Sequence, residues 1–135
     1  MRYSVVAVGR IRPPFADDVE HYTTMLAGHA RVDVVKVRDD DQVERRIPAR
    51  SHRVLLDAGG RSYSSEAFAR WLEERRMAAR DVCFVIGGPF GVRLERCDER
   101  LSLGPMTFPH QLARVLLLEQ LYRAHKILAR EPYHH

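Results

Sequence analysis

The sequence predicts an α/β fold with a mostly parallel sheet flanked by helices, and three observations carry that reading. Short apolar runs alternate with segments of helical period along the chain. The run Val82-Cys83-Phe84-Val85-Ile86 leads straight into Gly87-Gly88-Pro89-Phe90-Gly91. A second apolar run soon leads into another glycine- and proline-bearing loop, within LSLGPMTFPH. In open α/β sheets, ligand pockets lie where strands end in loops at their carboxyl edge, which is where both loops fall.

Taken in order, Tyr3 to Val8 is a buried strand. Pro13-Pro14 closes the following loop and introduces a helix from about Phe15 to Ala27, with Phe15, Val19, Tyr22 and Leu26 on one face. Arg31 to Val37 alternates polar and apolar as a second strand. Val54-Leu55-Leu56 and Asp57 precede Gly59-Gly60, which marks a third strand-to-loop junction and a third wall of the same pocket. Ser64 or Ser65 caps a helix whose Phe68, Trp71 and Leu72 face inward, with Glu66 well placed in its first turn.

Asp81 to Ile86 is the central strand, and Val92 to Arg100 reads as a short, strongly charged helix with a solvated surface. The longest helix runs from about Gln111 to Ala129. Its Leu112, Val115, Leu116, Leu118, Leu121, Tyr122, Ala124, Ile127 and Leu128 make an apolar surface wider than one core contact needs. That surface meets a partner, or else the helix is buried more deeply within one subunit.

Length and composition bound the function. The 135 residues, 45% of them hydrophobic, suffice for one core, and no linker, repeat or low-complexity tract divides them, so one domain spanning 1–135 is expected. The amino terminus lacks a signal-peptide core and no run approaches a membrane span, which places the chain in the cytoplasm. Cys83 and Cys97 then read as reduced thiols. None of the seven histidines joins an H-E-x-x-H or a Cys/His cluster, so no metal is expected.

The glycine loops match neither G-x-G-x-x-G nor G-x-x-x-x-G-K-[ST], which argues against a dinucleotide or nucleoside triphosphate. What they offer is backbone: Gly lets a ligand approach main-chain amides and carbonyls, although each loop alone would also pass as a tight turn. The net charge is +4, and of the 22 basic residues only Lys36 and Lys126 are lysines. Arginine supplies a planar fork for phosphate and a surface for base stacking, but codon bias would give the same excess. Arg10 and Arg12, in the loop after the first strand, are the best placed to meet RNA.

Four ordered segments carry a resemblance: IGGPFG (Ile86 to Gly91), SLGPMTFPH (Ser102 to His110), LARVLLLEQLYRAHKI (Leu112 to Ile127) and PYHH (Pro132 to His135). With the opening YSVVAVG (Tyr3 to Gly9), the chain resembles the bacterial large-subunit ribosomal RNA pseudouridine N3-methyltransferase family, part of the SPOUT superfamily. The resemblance implies a SPOUT-type sheet with a C-terminal trefoil knot, against the general rule that chains are unknotted. It implies a homodimer, S-adenosyl-L-methionine as cofactor, and large-subunit ribosomal RNA in the assembled ribosome as partner. Cofactor contacts fall on Leu56, Gly88, Gly104, Pro105, Met106, Thr107, Phe108 and Pro109.

Methyl transfer from a sulfonium is an in-line displacement, so such a protein must align donor and acceptor and leave the nucleophile unprotonated. The N3–H of pseudouridine is weakly acidic, which calls for a general base or a cationic neighbour. By the resemblance, His134 suits the first role, Arg123 the second, and Tyr133 stacks on the base or hydrogen-bonds it. Without it, PYHH reads as a frayed tail, with His135 a possible tag remnant. His110 orients the second loop.

One departure is visible. Family members carry a longer helical insertion than DDDQVERRIPARSH provides between Arg38 and Arg53, which predicts a trimmed outer helix. Two other classes stay open: a non-catalytic basic RNA-binding α/β module, which needs no glycine loops, and a phosphate-handling hydrolase, for which no nucleophile or metal set is present.

Overall fold

Alternation of apolar runs and helical periods translates directly into chain order. The computed structural model describes residues 1–88 and 91–133. In it, β1 (Arg2–Val8) leads through α1 (Phe15–Leu26) to β2 (Arg31–Val37), and β3 (His52–Ser62) leads through α2 (Ser65–Met77) to β4 (Val82–Ile86). β5 (Glu99–Ser102) and α3 (His110–Leu128) follow. The strands lie in the order β2-β1-β4-β3-β5 and every neighbouring pair is parallel. Parallel neighbours need crossover connections, and α1 and α2 supply two of them.

Period-two alternation splits the strands between two cores. Tyr3, Val5, Ala7, Val54, Val82, Phe84 and Ile86 face one side, where Val19 and Leu26 of α1, Phe68, Trp71 and Leu72 of α2, and Leu117, Leu118 and Leu121 of α3 pack on them. Val6, Val8, Cys83 and Val85 face the other side and meet Val37, Val43 and Ile47. The shortened stretch predicted to hold a trimmed helix folds as two 3₁₀ turns, Asp40–Gln42 and Glu44–Arg46, and Val43 and Ile47 from this stretch cover the second face. Burial in that face raises the Cys83 thiol to about 12, which leaves it protonated and inert.

Ser64, of the two candidate serines, caps α2: its Oγ accepts the Ala67 N–H at 3.0 Å, an interaction worth ~1 kcal/mol. α3 packs against both α1 and α2. Much of its apolar surface is therefore consumed within the chain, since Val115, Leu118, Leu121, Tyr122 and Ala124 are buried. Leu112, Leu116, Ile127 and Leu128 are only half-buried.

Two sequence expectations fail in the same region. Residues Val92 to Arg100 do not form a helix: they run irregularly into β5. Much of the segment's surface is exposed as expected, but Asp98 and Glu99 anchor it to the sheet edge. Asp98 accepts the Arg53 N–H at 2.8 Å, and the Glu95 N–H donates to Glu44 at 2.9 Å. Glu99 accepts bonds from Tyr63 Oη at 2.7 Å and Trp71 Nε1 at 2.8 Å, and pairs with His52 Nε2 at 2.8 Å. Burial alone would raise the Glu99 pKa, yet these bonds hold it below the usual carboxylate range.

Gly59-Gly60, likewise, does not end a strand. It lies inside β3, where the register against β5 shifts between Leu56 and Arg61. A Cβ at Gly60 would stand 2.6 Å from the Arg100 carbonyl carbon, so the irregularity exists because two backbones touch there.

At the far end of α3, the Tyr3 hydroxyl and His125 Nε2 are 2.8 Å apart, and His29 stacks on His125 at 5.6 Å between ring centroids. Burial, with the neighbouring His29, lowers the His125 pKa from 6.5 to about 4. Between those values the unfolded chain binds a proton that the folded chain refuses, so stability should fall as pH drops from 6.5 to about 4. Urea midpoints measured across this window should decline, and His125→Gln should flatten the decline. The same slope in both proteins would remove His125 as its cause.

Candidate active site

The middle of β3, the ends of β4 and β5, the loop before α3 and the start of α3 enclose a cleft of about 630 Å³. Its walls include Leu56 from β3, Gly88 beyond β4, and Gly104, Met106, Thr107, Phe108 and Pro109 from the loop before α3. Seven of the eight residues assigned to the cofactor by resemblance thus line one hollow, and Pro105 does not line it. Sequence reasoning missed Asp57 and Ala58 on the β3 wall and Leu101 and Leu103 on the β5 wall. Gly59 and Gly60 are absent from the lining, which corrects their assignment as a third wall; the two residues before them take that place. A smaller hollow of about 350 Å³ lies on the α2 side and shares Leu101, Leu103 and Gly104 with the cleft.

Local chemistry fixes the loops. Gly104 has φ +142°, a conformation that L side chains rarely adopt. Ser102 Oγ donates to the Ala58 carbonyl at 3.0 Å and accepts the Gly104 N–H at 3.0 Å, tying the loop back to β3. The Gly88 N–H donates to Asp40 Oδ1 at 3.0 Å, and a Cβ at Gly88 would lie 3.0 Å from Val8 Cγ1. A side chain there would press on Val8 as well as crowd the cleft. Met106 stands 73% exposed at the rim of the cleft.

Arg10 and Arg12 are exposed on the loop between β1 and α1. The Arg12 N–H donates to Gln111 Oε1 at 2.7 Å, which holds this loop against the first turn of α3, beside His110 in the cleft wall. The arginine pair and the cleft therefore share one edge of the molecule.

Arg123 and Tyr133 are brought together, but away from the cleft. Arg123 Nη2 donates to Glu119 Oε2 at 2.8 Å, the Tyr133 hydroxyl donates to the same oxygen at 2.9 Å, and the Arg123 guanidinium lies 5.0 Å from the Tyr133 ring centroid. Tyr122 meets the Tyr133 ring edge-on at 4.8 Å. Burial, together with the bond to Glu119, raises the Tyr133 pKa, and Glu119 raises that of Arg123. Glu119, which sequence reasoning passed over, is thus the organiser of the tail. Ala113, the last α3 residue in the cleft wall, is ten residues before Arg123, or ~15 Å along the helix axis. His134 and His135 lie outside the described residues.

A family model described as "Predicted SPOUT methyltransferase" matches residues 1–134. The chain belongs to the SPOUT methyltransferase family. Its relatives include proteins named "Ribosomal RNA large subunit methyltransferase H" from Rubrobacter xylanophilus, 46% identical over 98% of each chain, and from Gemmatimonas aurantiaca, 39% identical over 99% of each. A third, from Carboxydothermus hydrogenoformans, is 37% identical over 99% of each chain. These alignments extend over 153 to 158 positions against the 135 residues here, so this SPOUT chain lacks segments its relatives carry. Among the described residues, no group of His, Cys, Asp and Glu could hold a metal ion, and no helix is long and apolar enough to cross a membrane.

Proposed function

We propose that this SPOUT chain is an S-adenosyl-L-methionine-dependent methyltransferase that modifies N3 of a pseudouridine in large-subunit ribosomal RNA, acting on the assembled ribosome. The observation that carries the reading is the cleft: seven residues assigned to the cofactor from separate parts of the sequence line it together. Its chemistry fits the cofactor. Leu56, Ile86, Leu101 and Phe108 offer apolar surface for an adenine, and the loop backbones offer amides and carbonyls to its edge. When bound, the cofactor supplies an electrophilic methyl group. Relatives named as ribosomal RNA methyltransferases at up to 46% identity support the RNA as acceptor.

In this reading Gly104 to Pro109 and Leu56 orient the donor, Arg10 and Arg12 bind RNA phosphates, and Tyr133 and His134 position the pseudouridine and take its proton. Arg123 favours the N3 anion. The ~15 Å between Ala113 and Arg123 supports a homodimer, in which the tail of one copy completes the cleft of the other. Half-exposed Leu112, Leu116, Ile127 and Leu128 give such a dimer an apolar contact. The trefoil knot expected of the family is part of the same reading, supported by the return of α3 against α1 and α2 after the chain has crossed to β5. The cytoplasm is where this substrate is found.

Calorimetry should detect one molecule of S-adenosyl-L-methionine per chain, and mass mapping of ribosomal RNA from a deletion strain should lack one methyl group on a pseudouridine. RNA binding without any cofactor binding would replace this reading with a non-catalytic RNA-binding module. Analytical ultracentrifugation should give twice the chain mass at micromolar concentration. A monomer at every concentration would exclude the shared site.

A further inference from the structure

Arg114 of α3 is completely buried, and no ion pair compensates it among the described residues. One of its nitrogens, Nη2, donates to the carbonyls of Val8 at 3.3 Å and Gly9 at 3.2 Å, while Nε and Nη1 are buried with no hydrogen-bond partner. A buried cation without a counter-charge is costly, and unpaired donors add to that cost. Burial also depresses the Arg114 pKa below the usual arginine value.

Its position ties this unused donor set to the cleft. Side chains on a helix lean toward its amino terminus, so Arg114 lies over the first turn of α3, whose His110 is in the cleft wall. The guanidinium reaches the carboxyl end of β1, the strand beside β4, and Val8 there is the residue a Cβ on Gly88 would touch at 3.0 Å. Arg114 is not itself in the cleft lining, but its neighbour Ala113, His110 of the first turn, and Gly87 and Gly88 beyond β4 are. The same turn adds positive potential: the N-cap, Pro109, provides no side-chain cap, and no acidic residue occupies the first turn.

We propose that Arg114 and the uncapped first turn of α3 form an anion subsite at the inner end of the cleft, taking the carboxylate of the donor's amino-acid moiety. This rests on the donor reading above. A carboxylate matches the fork of Nε and Nη1, and in this proposal the guanidinium turns that edge toward the cleft when the ligand binds, weakening its Nη2 bonds to Val8 and Gly9. A small ligand in the cleft reaches this depth, whereas an RNA phosphate, fixed to a bulky backbone, stays at the rim with Arg10 and Arg12.

Calorimetry with three ligands tests it: S-adenosylmethionine, its decarboxylated form, and methylthioadenosine, which lacks the whole amino-acid moiety. The wild-type protein should bind the decarboxylated form about 10–100-fold more weakly than S-adenosylmethionine, the range of a charge-assisted pair. Arg114→Met should abolish that preference and leave methylthioadenosine affinity unchanged; Arg114→Lys, which keeps the charge, should restore part of it. Should the Met variant fail to fold, the wild-type preference and the Lys variant decide. Equal wild-type affinity for the first two ligands, or an undiminished preference in the Arg114 variants, would overturn the subsite and leave the donor reading intact. Failure of the wild-type protein to bind any of the three would remove both.

Discussion

Ending the chain after Pro132 is expected to leave S-adenosylmethionine affinity unchanged while slowing methyl transfer to ribosomes by about 10²–10⁴-fold, the range for loss of a general acid–base group. The two properties separate because the cleft and the tail occupy different parts of α3. Nothing in the cleft lining comes from beyond Ala113, whereas Tyr133 rests on Glu119, Tyr122 and Arg123. Single-turnover methylation with radiolabelled cofactor measures the loss, and calorimetry measures the retained affinity. Glu119→Gln should give an intermediate loss, since the amide can still accept the Tyr133 phenol but no longer neutralises Arg123. A truncated protein that methylates at a near-normal rate would reduce Tyr133 and His134 to a packed end.

The largest effect on stability is expected from Gly60→Ala. Its Cβ would lie 2.6 Å from the carbonyl carbon and 2.7 Å from the carbonyl oxygen of Arg100, and 2.9 Å from the Leu101 nitrogen. All three are backbone atoms of β5, so relief requires β3 and β5 to part, at a cost of about 3 kcal/mol or more. Cofactor affinity should fall with it, because Leu101 and Leu103 carry one cleft wall. Gly59→Ala is the matched control: its Cβ meets nothing nearer than Asp57 Oδ1 at 3.8 Å, and the change should cost less than about 1 kcal/mol. Chemical denaturation compares them, and equal midpoints would refute the close-approach account.

What the sequence made legible was whatever depends on local period. α1 begins at Phe15 and β2 spans Arg31–Val37 as read, because apolar spacing over one element suffices to place it. The segment from Val92 to Arg100 misled for the opposite reason. Its charges resemble helical i,i+4 pairs, yet the acids Asp98 and Glu99 bond to His52, Arg53, Tyr63 and Trp71, from 28 to 47 residues away. Gly60 looked like a turn because only the neighbouring strand reveals why it must lack a side chain. For the site, glycine and proline punctuation together with the family motif located the cleft loops. Glu119 escaped notice because it belongs to a helix face whose occupant arrives fourteen residues later. Arg114 escaped because a buried, uncompensated arginine contradicts the rule by which arginines are assigned to the surface.

The strand order has a consequence for how the chain is made. β1 acquires its first neighbour, β2, after 37 residues, but its second, β4, only when residues 82–86 exist. At a synthesis rate of ~5–20 residues per second, the intervening stretch takes roughly 2–10 seconds. Throughout that interval the β1 edge carrying Tyr3, Val5, Val6 and Ala7 has no partner strand, and the nascent chain must keep it from pairing with another before β4 slots into the centre of the sheet.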